Sequence, residues 1–278
     1  MGPTRTYARG KAPMSTAATT HFVGRGFELS VLGAALDELD GRRAKAIEVV
    51  GAAGIGKTRL LAELHELFDA GVPQHGRALW LEGRCVSYGE SMPYWPFRDL
   101  LRAWIGVLAD EPELRVRVAL RRSVERLFGA RSVEISPYLA VLLGLTLEPD
   151  AAKRLAELSP EALQYRTFEV MRELITRLTQ DGPVAVVLED LHWADATSLQ
   201  LLERLFADTE STALLLVLTS RLERDHPWWR VKEEVSRELP HRITDATLEA
   251  LSGDAGRELL HALVGDDTLP PDIERRIL

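Results

Sequence analysis

The sequence predicts an α/β fold: a three-layer α/β/α sandwich around a mainly parallel central sheet of about five strands, with a long helical insertion. Two segments carry most of that expectation. Val184-Ala185-Val186-Val187-Leu188 and Ala213 to Thr219 are near-continuous apolar runs, the pattern of parallel strands covered by helices on both faces. The third observation is Gly51-Ala52-Ala53-Gly54-Ile55-Gly56-Lys57-Thr58, a glycine-rich loop with a short apolar run before it and a helical stripe after it.

Taken in order, residues 1–20 are rich in Gly, Pro, Ser, Thr and Ala, show no periodicity, and read as a disordered leader or linker. Met1-Gly2 with Thr6 fits the N-myristoylation pattern, but Pro3 behind the acceptor glycine argues against it. A helix follows, with Leu29, Leu32, Leu36 and Leu39 on one face and Gly41 as its stop. Ala46-Ile47-Glu48-Val49-Val50 is the first strand and runs straight into the glycine-rich loop. A helix from Thr58 to about Phe68 carries Leu60, Leu61, Leu64 and Leu67 and stops at Gly71-Val72-Pro73. Ala78 to Glu82 is a further strand, and Arg242 to Asp245 a weaker one.

About a hundred residues separate Ala78–Glu82 from Val184–Leu188, more than a simple crossover needs, so 88–181 reads as a mainly helical insertion. Within it Val116, Leu120, Val124 and Leu127 recur at helical spacing. The locally basic run of Arg115, Arg117, Arg121, Arg122 and Arg126 is therefore the solvated face of a helix. Phe168, Met171, Leu174, Ile175 and Leu178 form the clearest stripe, which ends before Asp181-Gly182-Pro183. Pro271 to Leu278 reads as a helix cut off in mid-turn, so the chain is expected to be a fragment of something longer.

With 34 Lys and Arg against 42 Asp and Glu, the net charge is −8, which argues against a nucleic-acid-binding role for this segment. No apolar run is long enough to span a bilayer and no signal peptide opens the chain. Cys85 is the sole cysteine, which excludes an internal disulfide or thiolate zinc site and suits a cytoplasmic location.

The glycine-rich loop is a P-loop. Its glycines permit backbone angles that turn successive N–H groups inward as an anion nest. Lys57 brings a point charge to the β- and γ-phosphates, Thr58 offers a hydroxyl to magnesium, and the helix behind them adds its positive end. Gly51 to Thr58, with Arg59 following, is thus the expected nucleotide site, and the fold a P-loop NTPase. Glu189-Asp190 closes the strand Val184–Leu188, where such enzymes hold magnesium and polarise the attacking water. Glu189 would reach the metal, partly through water, and Asp190 would be the general base. Thr219-Ser220-Arg221 ends another strand, and Arg221 could stabilise the transferring phosphoryl in cis. His192 and Asp195 lack a third ligand at recognisable spacing. Asp195 reads instead as the cap of a helix carrying Leu199, Leu202, Leu205 and Phe206. Trp228 and Trp229 fit either an exposed partner contact or a local core.

The string Leu188-Glu189-Asp190-Leu191-His192-Trp193-Ala194-Asp195 resembles the Walker B region of the signal-transducing ATPases with numerous domains, the STAND class of AAA-type ATPases. Phe22-Val23-Gly24-Arg25, the P-loop and Thr219-Ser220-Arg221 share the resemblance, which covers about residue 21 to the end. Glu82 to Glu90 and Met92-Pro93-Tyr94-Trp95-Pro96 look like the modules attached to bacterial class III adenylate/guanylate cyclases and large LuxR-type regulators. The resemblance implies a P-loop ATPase domain over 21–278 without its usual C-terminal lid and winged helix. It also implies that Val23 and Arg25 line the adenine and ribose side, favouring ATP, and that Arg221 meets the γ-phosphate. Many relatives carry Asp where this chain has Glu189, a shift of one carbon–carbon bond in carboxylate position.

Together these readings imply a switch that binds ATP or ADP with magnesium and hydrolyses slowly within a multidomain signalling or transcription-regulating protein. Its partners would be other domains of a longer chain, with self-association as a further option. The alternative is a non-hydrolysing scaffold acting through protein contacts. A metabolic kinase is the weaker third, since no acceptor pocket is evident.

Overall fold

A computed structural model of the chain describes residues 22–39, 42–71, 78–88, 92–264 and 273–274. The leader over 1–20, the stops at Gly41 and Val72-Pro73, Glu90, and all but two residues of the helix expected over 271–278 lie outside these residues.

The first helix, α1 (Gly26–Leu39), leads to β1 (Lys45–Gly51), the P-loop and α2 (Lys57–Gly71), then β2 (Leu79–Arg84). Five helices follow before the sheet resumes: α3 (Trp95–Ile105), α4 (Glu113–Phe128), α5 (Ser132–Leu143), α6 (Pro149–Ala156) and α7 (Pro160–Leu178). The remainder runs β3 (Val184–Glu189), α8 (Ala196–Asp208), β4 (Leu214–Ser220), α9 (Trp228–Glu238), β5 (Ile243–Leu248) and α10 (Gly253–Val264). The weak fifth strand is real and runs three residues further than its apolar signal suggested, from Ile243 to Leu248 rather than from Arg242 to Asp245. Among the described residues no helix is long and apolar enough to cross a membrane.

The strands form one sheet in the order β2-β3-β4-β1-β5, and every neighbouring pair is parallel. Strand alternation sorts the core into two layers. Ile47, Val49, Ala185, Val187, Leu215 and Val217 face α1 and α2, meeting Leu32, Leu60, Leu64 and Phe68. Ala46, Leu81, Val184, Val186, Leu188, Leu214, Leu216 and Leu218 face the other way, into a layer with Phe97, Leu100, Leu139, Met171, Leu174 and Leu202. The insertion is thus seated on the sheet: α3 lies so close to β2 that a Cβ at Gly83 would overlap the Pro96 carbonyl.

The predicted basic helix is α4. It buries Val116, Leu120, Val124 and Phe128 and leaves its arginines outward, Phe128 taking the place expected of Leu127 at the end of the stripe. Because all five strands run the same way, their carboxyl ends share one rim, the crevice where open parallel sheets bind ligands.

Candidate nucleotide-binding site

The P-loop leaves β1 at Gly51 and enters α2 at Lys57. Gly54 (φ 74°) and Gly56 (φ 104°) adopt the left-handed angles that turn a nest of N–H groups to one side. Lys57 is buried, and its ammonium donates to the carbonyls of Gly51 (2.7 Å) and Ala52 (2.9 Å). Burial lowers its pKa most; Asp190 and Glu189 pull it back up, while Arg221 lowers it further. These interactions place the lysine, both acidic residues and the arginine in one electrostatic cluster.

Thr58 and Glu189 meet across 131 positions of sequence: the hydroxyl of Thr58 donates to Glu189 Oε2 at 3.3 Å. Burial raises the Glu189 carboxyl above its usual range, with Glu82 and Asp190 adding to the shift and Arg84 and the Thr58 hydroxyl opposing it. A hydroxyl and a carboxylate converging behind a phosphate nest are the hard oxygen donors that magnesium takes, so these two residues fit that ion. Bound there, magnesium would offset phosphate charge, and Thr58 and Glu189 would be the residues to hold it.

Asp190 sits in the left-handed region (φ 58°, ψ 45°), uncommon for a residue with a side chain. Its N–H is fixed by Thr219 Oγ1 at 2.9 Å, which ties the end of β3 to the end of β4. Its carboxylate accepts from Arg84, Nε at 3.0 Å and Nη2 at 2.9 Å. The expected base is therefore held by an arginine that sequence reading left without a role. Arg84 lies within the quoted string Glu82 to Glu90, but its partner is 106 residues away and no local spacing reveals the pair.

Arg221 follows β4, half-buried, with its guanidinium 6.0 Å from the Trp193 ring centre and 3.7 Å from Glu223. Val23 is buried. Arg25 is buried too, with its guanidinium committed to Glu28 (2.9 Å), the Ile55 carbonyl (3.3 Å) and the Glu249 carbonyl (2.6 Å). It straps the P-loop to the segment after β5. Arg59 lies in the first turn of α2, paired with Glu63 and over the Phe22 ring. Asp195 caps α8, accepting from the Ser198 N–H at 2.9 Å, as its position before the apolar stripe suggested.

A second polar cluster lies beneath the P-loop strand. Glu48 is fully buried in β1 and accepts from Ser220 Oγ (2.7 Å) and Trp228 Nε1 (2.6 Å); Lys232 of α9 neutralises it and also reaches Asp245 (3.2 Å). Trp228 is thus wholly buried core, which decides between the two readings left open for it; Lys232 also lies 4.7 Å from the Trp229 ring centre. A lone glutamate inside the apolar run Ala46–Val50 was the available sequence signal for this cluster.

A parallel sheet in this strand order, carrying a P-loop after β1 and an acidic pair after β3, defines a P-loop NTPase of the AAA type. The AAA ATPase domain model matches residues 21–218, and the chain belongs to that family. It is 25% identical over 207 residues to an uncharacterised protein of Rhizobium meliloti (strain 1021), covering 74% of this chain and 19% of that protein. Among solved structures it is similar to the Aeropyrum pernix ORC1 protein in complex with DNA, with 16% identity over 91% of this chain and 52% of that one, TM-score 0.47. It is also similar to a signal transduction ATPase with numerous domains, bearing a tetratricopeptide repeat sensor, from Pyrococcus horikoshii. There the identity is 15% over 96% of this chain and 29% of that one, TM-score 0.42.

Proposed function

We propose that residues 21–278 form an ATP-driven regulatory switch that binds ATP with magnesium, hydrolyses it slowly, and works inside a longer bacterial signalling or transcription-regulating protein. The observation that carries this reading is the gathering of Lys57, Thr58, Glu189, Asp190 and Arg221 around the ends of the contiguous strands β3, β4 and β1. The relative of which this chain spans only 19% supports the longer protein. Its partners are then the other domains of that chain, with self-association as a second route of control.

In this reading the phosphates lie against the N–H groups of Ala52 to Gly56, and Lys57 exchanges its two loop carbonyls for β- and γ-phosphate oxygens. Val23 and Arg25 lie on the adenine and ribose side. Asp190 takes the proton of the attacking water, and Arg221 stabilises the transferring phosphoryl. Arg84 must release Asp190 before that step, which is a physical reason for slow turnover. The same contact favours the alternative, a non-hydrolysing scaffold, if the base is never released. The scaffold loses part of its other support, since Trp228 is core and offers no surface.

Titration calorimetry of ATP with magnesium tests the assignment. Lys57→Ala should weaken binding about tenfold to a hundredfold, the scale of a lost charge-assisted hydrogen bond. Undiminished affinity in that variant overturns the reading.

A further inference from the structure

Among the described residues, His192 is a buried polar group beside the strand-end rim to which neither the fold nor the proposed chemistry gives work. Its side chain is 3% exposed, and neither ring nitrogen has a hydrogen-bond partner. Buried polar atoms are almost always paired, so two orphaned nitrogens on one ring call for an occupant. The ring sits in the 3-10 turn Leu191–Trp193, directly behind Asp190, and packs 5.1 Å from the Trp193 ring. Arg221 lies over the other partner of that contact, 6.0 Å from the Trp193 centre.

The turn that carries His192 sets its side of the site, since it follows Asp190 directly and its Trp193 lies beneath Arg221, and the charges acting on the ring agree. Burial lowers its pKa most, then Arg221, with Lys57 in the same direction and Asp190 and Glu223 opposed. Lys57 and Arg221 are the two cations suited to the outer phosphates, and Asp190 is the candidate base. A ring in the turn that follows Asp190, packed on the tryptophan that Arg221 overlies, lies by the terminal phosphate rather than by the Val23 and Arg25 wall. A neutral imidazole carries one N–H donor and one acceptor nitrogen, whichever tautomer it takes.

We propose that His192 is a positioning and specificity residue for the terminal phosphate: one ring nitrogen donates its N–H to a γ-phosphate oxygen while the other accepts from Arg221. ATP would then supply the acceptor for the ring N–H and Arg221 the donor for the other nitrogen, whereas ADP, lacking the γ-phosphate, would leave the N–H unpaired. His192 thereby makes the site favour triphosphate over diphosphate. The proposal rests on the ATP-binding reading above.

The test is calorimetric affinity for ATP and for ADP, each with magnesium, in the unaltered chain, His192→Phe, His192→Gln and Lys57→Ala. Phe keeps the ring volume and removes both nitrogens; Gln restores an amide donor and acceptor. His192→Phe should bind ATP about tenfold to a hundredfold more weakly with ADP affinity unchanged, and His192→Gln should recover part of the loss. Equal weakening toward both nucleotides would mark a packing role and overturn the proposal. So would unchanged affinity for both, the result expected if an internal water bridges the ring. If the unaltered chain binds neither nucleotide, or Lys57→Ala binds ATP undiminished, the ATP-binding reading itself fails. ADP affinity in His192→Phe also reports that the variant is folded.

Discussion

In the helical insertion the backbone is closed off and the interior is apolar. At the strand-end rim, groups are held in arrangements that packing alone would not select. Helices α3 and α5 end on Gly106 and Gly144, both left-handed, each with its N–H returned to the last turn, and α7 opens on Ser159, which accepts from the Ala162 N–H at 3.2 Å. Arg131 bridges α5 to α7 through Glu173, which Arg177 also reaches. The rim instead holds a left-handed aspartate, a lysine bonded to its own loop, a half-buried carboxyl and an imidazole with no partner. The insertion has single cases, left-handed Tyr94 and the unpartnered Thr176 hydroxyl, but at the rim such features fall on adjoining residues that the surrounding fold must sustain. The insertion should therefore carry stability and the rim should carry nucleotide chemistry, with little exchange between them.

The sharpest break is at Asp190. Asp190→Asn should lower single-turnover ATP hydrolysis by about 10²- to 10⁴-fold, the usual contribution of a positioned base, while ATP affinity and melting temperature hold. A variant that hydrolyses normally removes Asp190 from the chemistry. In the insertion, Leu139 of α5 is wholly buried. Leu139→Ala should cost about 2–5 kcal/mol in denaturant unfolding, with ATP affinity at the unaltered value where the variant is folded. A parallel loss of affinity would mean that the two regions are coupled.

Glu189→Gln is the smallest and sharpens the comparison through pH. Burial raises the Glu189 carboxyl, so the folded state holds that proton more tightly than the unfolded chain. Stability without magnesium is therefore lost as pH rises from the unfolded carboxylate pKa, about 4.3, through the raised folded one. In melts with chelator, Glu189→Gln should be the more stable protein at neutral pH, and the difference should vanish as pH falls to about 4. A constant difference across that range would place its cause outside Glu189 ionisation.

Much of the fold could be read from sequence because β3 and β4 are covered on both faces and must be apolar throughout. The P-loop and the acidic pair were legible for a related reason: each is local in sequence, at the end of a strand that announces itself. What could not be read was pairing at a distance. Glu48 and Lys232 lie in β1 and α9, and Arg84 finds Asp190 only once β2 and β3 are neighbours. His192 offered a misleading cue, a histidine near an aspartate. Its importance comes from having no partner, which only packing discloses.

Thr219 and Ser220, adjacent at the end of β4, look in opposite directions: one holds the Asp190 backbone, the other hydrogen-bonds to Glu48 beneath the P-loop strand. Trp228 shares that carboxylate through its indole N–H, and it is one of six tryptophans in the chain. The emission of an indole depends on the electric field along its ring, and here a buried anion and its lysine set that field. Any shift of the end of β4, which holds the Asp190 backbone through Thr219, moves the Ser220 hydroxyl that shares the same oxygen. With the other five tryptophans replaced, the colour of Trp228 fluorescence should report movement of that strand end beneath the P-loop, read without a label.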